Sequence, residues 1–471
     1  MYKFVGDKLK KYKPMKRMLT LLAIVFASVA SFAQEAAKTE SWSGVLSAGP
    51  QKLNVCFVIE TQSDGMQTCT MDIPEQGAKN IPVELIKNDA DSLNISIPIL
   101  RASYNGHKVS SENIEGVFAQ YGMSLPLNLK SGGIELKRPQ TPLEPFAYTT
   151  EEVVFKNEAE GAVLSGTLTY PVDFENYKNK SVPVVLMVTG SGAQDRNEEV
   201  FGHKPFFVIA DFLAKNGIAS LRYDDRGVGK STGPVEGMTT ENNLADAEAG
   251  IAYLRGLDKF GKIGVLGHSE GGTIAFMMGA NKSVDFIISL AGGAANGIDL
   301  IVGQNEAILQ QQGVPQNIAS DYATALRIIY KDRADGKDVV NKAEYVEDIC
   351  KANDLVLIDN LKANLVEVIT AGEEWFTWFI RYSPADAIRK IKCPVMALNG
   401  NLDLQVLSKD NLPVIKSNLP KNKKNMVKEY DALNHLFQHC TIATAISYGA
   451  IDETISEEVL VDITNWINTI K

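Results

Sequence analysis

The sequence predicts an α/β fold: a mostly parallel sheet with helices on both faces and an inserted helical cap, preceded by a small antiparallel β domain. Three observations carry that expectation. The second half of the chain holds near-continuous apolar runs, Pro183–Val188, Ile218–Tyr223, Lys262–Leu266, Phe286–Leu290, Pro394–Leu398 and Met426–Tyr430, separated by helical segments. Strands apolar on both faces belong to parallel sheets buried between helices. From about Trp42 to Leu136 the pattern changes to short runs of alternating apolar and polar residues, Leu53–Ile59, Gln67–Met71, Ser92–Ile97 and Ile114–Ala119, punctuated by Gly, Asn, Asp and Ser. That period of two is the signature of antiparallel strands. Third, helical periodicity interrupts the strand pattern at about 297–383 and carries Trp375, Phe376, Trp378 and Phe379. It reads as a cap over the sheet, with the aromatics as cap core in preference to substrate contacts.

Taken from the N-terminus, Lys8, Lys10, Lys11, Lys13, Lys16 and Arg17 precede the apolar run Leu19–Val29 and the small-residue site Ser31-Phe32-Ala33. This is the layout of a signal peptide over residues 1–33, with a mature chain from Gln34. The run is short for a membrane span, and no later stretch reaches the roughly 20 apolar residues a spanning helix needs. The expectation is an exported protein, periplasmic or secreted, with no membrane span in the mature chain. The formal charge is −10; removing seven basic residues and one acidic residue with the signal leaves about −16. An acidic surface disfavours nucleic acid and favours solubility. The β domain is placed at 34–138. Three prolines between Arg138 and Pro145 then mark a stiff linker over 139–147, and a second, larger domain follows at 148–471.

Of the cysteines, Cys56 and Cys69 fall on two neighbouring predicted strands, where the sequence leaves open whether they form a disulfide or stay free. Cys350, Cys393 and Cys440 read as small buried residues. The chain contains no Cys-x-x-Cys or His-Glu-x-x-His spacing, so no metal site is expected.

The most informative motif is Gly267-His268-Ser269-Glu270-Gly271, set between the strand run ending at Leu266 and the helical run Thr273–Met278. A serine on a sharp strand-to-helix turn needs glycines on both sides, because side chains there would meet neighbouring backbone. A serine hydroxyl is a weak nucleophile and needs a base oriented by an acid. Asp403 lies in the loop after Pro394–Leu398, and His435 lies in the loop after Met426–Tyr430. Ser269, Asp403 and His435 thus give the chain order serine, acid, histidine. Among the other histidines, His107 lies in the β domain, His203 follows an early loop, and His268 is expected to point away from the nucleophile. His439 is expected inside a helix. Asp431 rivals Asp403, but sits close to His435 and suits a capping role.

The oxyanion requires two backbone N–H donors: one from Glu270, after the nucleophile, and one from the loop Thr189–Arg196. Ser191 is the preferred second donor, with Gly190 as the fallback. The turn Asp224–Ser231 lacks phosphate-loop spacing and reads as a structural brace.

Together, Thr189-Gly190-Ser191-Gly192, Gln194-Asp195-Arg196, Asp225-Arg226-Gly227 through Ser231, the serine turn and Gly400-x-x-Asp403-x-x-Val406 resemble the α/β-hydrolase superfamily, in particular its bacterial serine-aminopeptidase-like branch, from about Val153 onward. Thr189 stands where many of these hydrolases carry histidine. The upstream segment, with Gln76-Gly77-Ala78 and Ile81-Pro82, resembles the β domain of exported carboxylesterases of the esterase D type. The resemblance implies an α/β-hydrolase sheet and hydrolysis of short-acyl carboxylic esters, a small-molecule substrate, with no cofactor. An exopeptidase or amidase using the same residues is the alternative, although a β domain this short is no propeller and no amine-capturing carboxylate pair stands out. A glycan- or surface-binding β module tethered to a hydrolase is a third reading. Oligomeric state is not legible from the sequence.

Overall fold

The computed structural model describes residues 38–48, 51–74, 78–120, 122–134, 136–371 and 374–470. The expected signal peptide and the Gln76-Gly77 element lie outside them. The chain divides into two compact units, one ending at Lys137 and the other holding Arg138–Glu199 and His203–Lys471.

The first unit contains β1 (Lys38–Ala48), β2 (Gln51–Thr61), β3 (Gln67–Ile73), β4 (Ala78–Asn88), β5 (Ser92–Ile97), β6 (Ala102–Lys108), β7 (Asn113–Gln120), β8 (Met123–Pro126) and β9 (Leu129–Ser131). Successive strands from β1 to β7 pair antiparallel. β9 pairs with both β7 and β1, closing an eight-stranded barrel, while β8 extends the pairing along β7. The antiparallel expectation holds, and closure gives β1–β7 and β9 a partner on each side. Alternate residues such as Phe57, Ile59, Leu93 and Ile95 fill the interior. Tyr104 occupies space that two glycines vacate: a Cβ on Gly116 would lie 2.3 Å from the Tyr104 hydroxyl, and one on Gly106 would lie 2.6 Å away.

The register also settles the cysteine question. Cys56 pairs with Asp72 and Cys69 with Ile59, so an odd number of positions separates the two residues along the ladder. The pleat turns them to opposite faces, and both thiols are free and buried. Burial pushes the Cys69 thiol up to about 12, which makes it unreactive.

The second unit is built on β10 (Thr150–Asn157), β11 (Ala162–Thr169), β12 (Val184–Val188), β13 (Ala219–Tyr223), β14 (Ile263–His268), β15 (Phe286–Leu290), β16 (Val395–Gly400) and β17 (Met426–Tyr430). The sheet order is β10-β11-β13-β12-β14-β15-β16-β17. β10 and β11 are antiparallel to their neighbours; the remaining pairs are parallel. Each of the six near-continuous apolar runs of the second half is one of the parallel strands.

The helices are α1 (Pro205–Lys215), α2 (Thr240–Gly256), α3 (Glu270–Ala280), α4 (Gly297–Gln311), α5 (Gln316–Ala334), α6 (Lys342–Ala352), α7 (Asp359–Thr370), α8 (Glu374–Arg381), α9 (Ala385–Lys390), α10 (Ser408–Asn418) and α11 (Glu457–Asn468). Val184, Leu186 and Val188 face a core shared with α2, α3, α9 and α10, while Val185 and Met187 face α1 and α11. Burial on both faces explains why these strands read as continuous apolar runs. Helices α4–α8 form the cap around a core of their own, including Tyr322, Leu326, Tyr330 and Leu365. The proline-rich segment is docked within this unit: the Arg138 guanidinium donates to the Gly449 and Ile451 carbonyls, and the Gln140 side chain bonds Thr454 and Ile455.

Candidate active site

Ser269 sits between β14 and α3 with φ 53° and ψ −116°, a conformation few non-glycine residues adopt. Its surroundings leave no room for flanking side chains. A Cβ on Gly267 would lie 1.9 Å from the Gly271 carbonyl oxygen, and one on Gly271 would lie 2.1 Å from the Val188 carbonyl oxygen. The Ser269 N–H donates to the Leu290 carbonyl at 2.8 Å, tying the turn to the end of β15.

Asp403 and His435 come together from the loops beyond β16 and β17. His435 Nδ1 lies 2.8 Å from Asp403 Oδ2, and both residues are buried. Asp403 is fully engaged: Oδ1 accepts from the Gln405 and Val406 amides at 2.8 and 2.9 Å, and Oδ2 also accepts from Asn399 Nδ2 at 3.0 Å. With Nδ1–H donated to a carboxylate, the His435 lone pair is on Nε2. Asp431 is exposed and accepts from Asn401, away from this pair. His107 is on the exposed side of β6.

His439 departs from expectation. It lies in the same irregular loop as His435, paired in an isolated bridge with Leu433, with its exposed ring on Glu453. The helix does not form there because the Asn434 side-chain oxygen takes the Leu436 and Gln438 amides, and Phe437 has φ 58°.

On the oxyanion side, Gly190 lies against the serine: a Cβ on it would be 3.3 Å from Ser269 Cβ. Its N–H, however, donates to Glu198 Oε1 at 2.8 Å, which removes Gly190 as a donor. Glu270 opens α3, where first-turn amides lack intrahelical acceptors, and Ser191 follows Gly190 in the exposed loop. The Glu270 side chain is buried, with Oε1 accepting from Thr240 Oγ1 at 2.6 Å and Trp375 Nε1 at 2.8 Å. Trp375 therefore joins the cap to the serine turn, whereas Phe376 packs edge-on against Tyr330 in the cap core.

The turn after β13 braces the site. Asp224 binds Arg196 and Arg226 binds Asp246. The Thr189 hydroxyl lies 2.9 and 3.0 Å from the two Asp225 oxygens, and the Gln194 amide donates to Oδ2 at 2.9 Å. Burial, reinforced by the charges of Glu198 and Glu270, pushes the Asp225 carboxyl up to about 8 against these hydrogen bonds. The folded chain thus holds a proton that the unfolded chain, with a pKa of about 3.9, releases. The associated stability is complete below about pH 4 and is lost as pH rises through 8, at about 1.4 kcal/mol per pH unit in between. Asp225→Asn has no such proton, so the stability of the variant relative to wild type is expected to rise between about pH 5 and pH 8. Urea unfolding at both values measures it; a constant difference contradicts the assignment.

Sequence reasoning missed Glu198 and the role of His268. His268 is buried with Nδ1 2.9 Å from Glu198 Oε1, Nε2 3.0 Å from the His435 carbonyl oxygen and its ring centroid 4.7 Å from that of His435. The only available signal was a histidine beside the serine, since its partners lie 70 and 167 residues away.

The sheet order and the strained serine turn at the carboxyl end of β14 define the class, an α/β-hydrolase. Within it, residues 160–433, more than half of the chain, match the family described as X-Pro dipeptidyl-peptidase (S15 family). The chain belongs to that family. Among curated proteins it is similar to Esterase EstD of Thermotoga maritima, with 23% identity over 281 residues that make up 59% of this chain and 61% of the relative. The chain therefore spans about three fifths of that relative's length. Similar solved structures include the Pyrococcus furiosus esterase Pf2001, at 16% identity and TM-score 0.42 over 72% of this chain and 99% of that one. A proline iminopeptidase of Mycobacterium smegmatis aligns at 14% identity and TM-score 0.40, over 68% and 98%.

Proposed function

We propose that the protein is an exported esterase that cleaves short-acyl carboxylic esters through an acyl-enzyme on Ser269. The observation that carries the reading is the 2.8 Å contact between Asp403 and His435, with the His435 ring 4.7 Å from that of His268, the residue before the strained Ser269. His435 Nε2 takes the hydroxyl proton as Ser269 Oγ attacks the ester carbonyl, and the Glu270 and Ser191 amides hold the oxyanion. Each such donor is worth about 3 kcal/mol in related chemistry. The proton passes to the departing alkoxide; water, deprotonated by His435, then releases the acid and restores the serine. The basic and apolar run before Gln34 supports export.

The family match favours a second reading, a dipeptidyl-peptidase acting after proline. Such an enzyme must capture a free amino terminus, commonly with carboxylates. The carboxylates against the serine turn are already committed: Glu198 to Gly190 and His268, Asp225 to Thr189 and Gln194, Glu270 to Thr240 and Trp375. This supports the ester reading. p-Nitrophenyl acetate, butyrate and octanoate, run beside an X-Pro p-nitroanilide, separate the two. Turnover greatest on the short esters is the expected result; faster cleavage of the anilide would establish the peptidase, and preference for octanoate would refute short-acyl specificity.

A further inference from the structure

Both ring nitrogens of His268 face oxygen acceptors, Glu198 Oε1 at 2.9 Å and the His435 carbonyl at 3.0 Å, and the residue is only 7% exposed. A neutral imidazole offers one N–H and one lone pair. In either neutral tautomer, one contact would set a lone pair against an oxygen lone pair in a buried site. Two protons satisfy both contacts.

We propose that His268 is a standing imidazolium that acts as the positioning residue of this site, joining its oxyanion side to its base. This rests on the serine-hydrolase reading given above for Ser269 and His435. On one side, the Glu198 oxygen that binds His268 also takes the Gly190 N–H, which holds the backbone leading to the Ser191 amide against Ser269. On the other side, the second N–H holds the backbone carbonyl of His435 itself. One cation therefore sets the separation between the oxyanion loop and the base. Glu198 reaches it from a strained backbone with φ 53°, a cost that the two hydrogen bonds to its carboxylate help to offset.

The charged groups around the ring agree. Burial pulls its pKa down, but the charge and hydrogen bond of Glu198, the His435 carbonyl and the charge of Asp403 outweigh it, and the net direction is up. Asp225, from the turn after β13, lies within electrostatic reach of Glu198 and of Glu270, from α3. His203 makes the contrast: it is also buried, but it faces the Thr454 hydroxyl, which can donate to Nδ1. Burial, then the charge of Arg138, pushes it down to about 4, and it is neutral.

The test uses the full chain labelled with 15N-histidine. One ring, lost in His268→Gln, is expected to show two N–H signals at neutral pH; in Glu198→Gln those signals disappear at lower pH. Kinetically, His268→Gln is expected to lower kcat on the order of 10²-fold with little change in KM. It is also expected to remove an alkaline fall in kcat that in wild type coincides with loss of the two signals. Asp225→Asn keeps both signals, which separates the two titrations. If His268→Gln does not fold, His268→Asn and Glu198→Gln carry the same comparison. A single N–H from His268 at neutral pH, or a folded variant with the wild-type kcat and pH profile, overturns the proposal. The spectrum requires no turnover, so it stands apart from the nucleophile reading, which Ser269→Ala tests.

Discussion

Ser269→Ala is expected to lower kcat by about 10⁶-fold while leaving the fold and substrate binding in place. The size follows from the proposed mechanism: without the hydroxyl no acyl-enzyme would form, and the Glu270 and Ser191 amides would be left to stabilise only direct attack by water. The backbone adds a second, independent expectation. Residue 269 is held at φ 53° by packing in which Gly267 and Gly271 meet neighbouring carbonyl oxygens closely. Alanine inherits that strain, whereas Ser269→Gly relieves it and is expected to be equally inactive but about 1 kcal/mol more stable. Rates with a p-nitrophenyl ester and unfolding midpoints of the two variants check both points. Residual turnover above about 1% in Ser269→Ala would remove this serine from the chemistry.

The elements legible in the sequence were those whose physics is local. An apolar strand run followed at once by a short polar loop placed Ser269, Asp403 and His435 at three strand ends, and the structure brings Asp403 and His435 into contact. Period-two alternation gave the antiparallel strands of the first unit. It could not give closure of the barrel, because the pairing of Trp42 with Ser131 depends on two strands far apart in sequence. Cys56 and Cys69 did lie on adjacent strands; the register, shifted by an odd number of positions, then put them on opposite faces. His439 was misplaced into a helix because helical periodicity carries no information about Asn434, whose side chain takes the amides a helix would need. The polar support of the site was the least legible. Glu198 with His268, Trp375 with Glu270 and Thr189 with Asp225 are single contacts across 70, 105 and 36 residues, and a lone buried pair leaves no periodic trace in the chain.

Asp403→Asn is expected to lower kcat by about 10⁴-fold with little loss of stability, an effect that comes from the direction of one hydrogen bond. Oδ1 of Asp403 accepts two backbone amides, Gln405 and Val406, so in the variant the amide oxygen takes that position. The NH₂ group is then left where Oδ2 stood, 2.8 Å from His435 Nδ1. A donor there favours the tautomer with its lone pair on Nδ1 and its proton on Nε2, so the base presents a proton to Ser269 in place of an acceptor. Asn399 Nδ2, 3.0 Å from the same position, then meets a second donor there while it keeps its bond to the Val406 carbonyl. Asp403→Ala makes the informative comparison: it leaves His435 free to choose its tautomer but removes the acceptor for two buried amides, so it should lose more stability than Asp403→Asn. Measured kcat, KM and unfolding midpoints for the pair distinguish orientation of the histidine from simple support of the loop. Near-wild-type kcat in a folded Asp403→Asn would mean that another group orients His435.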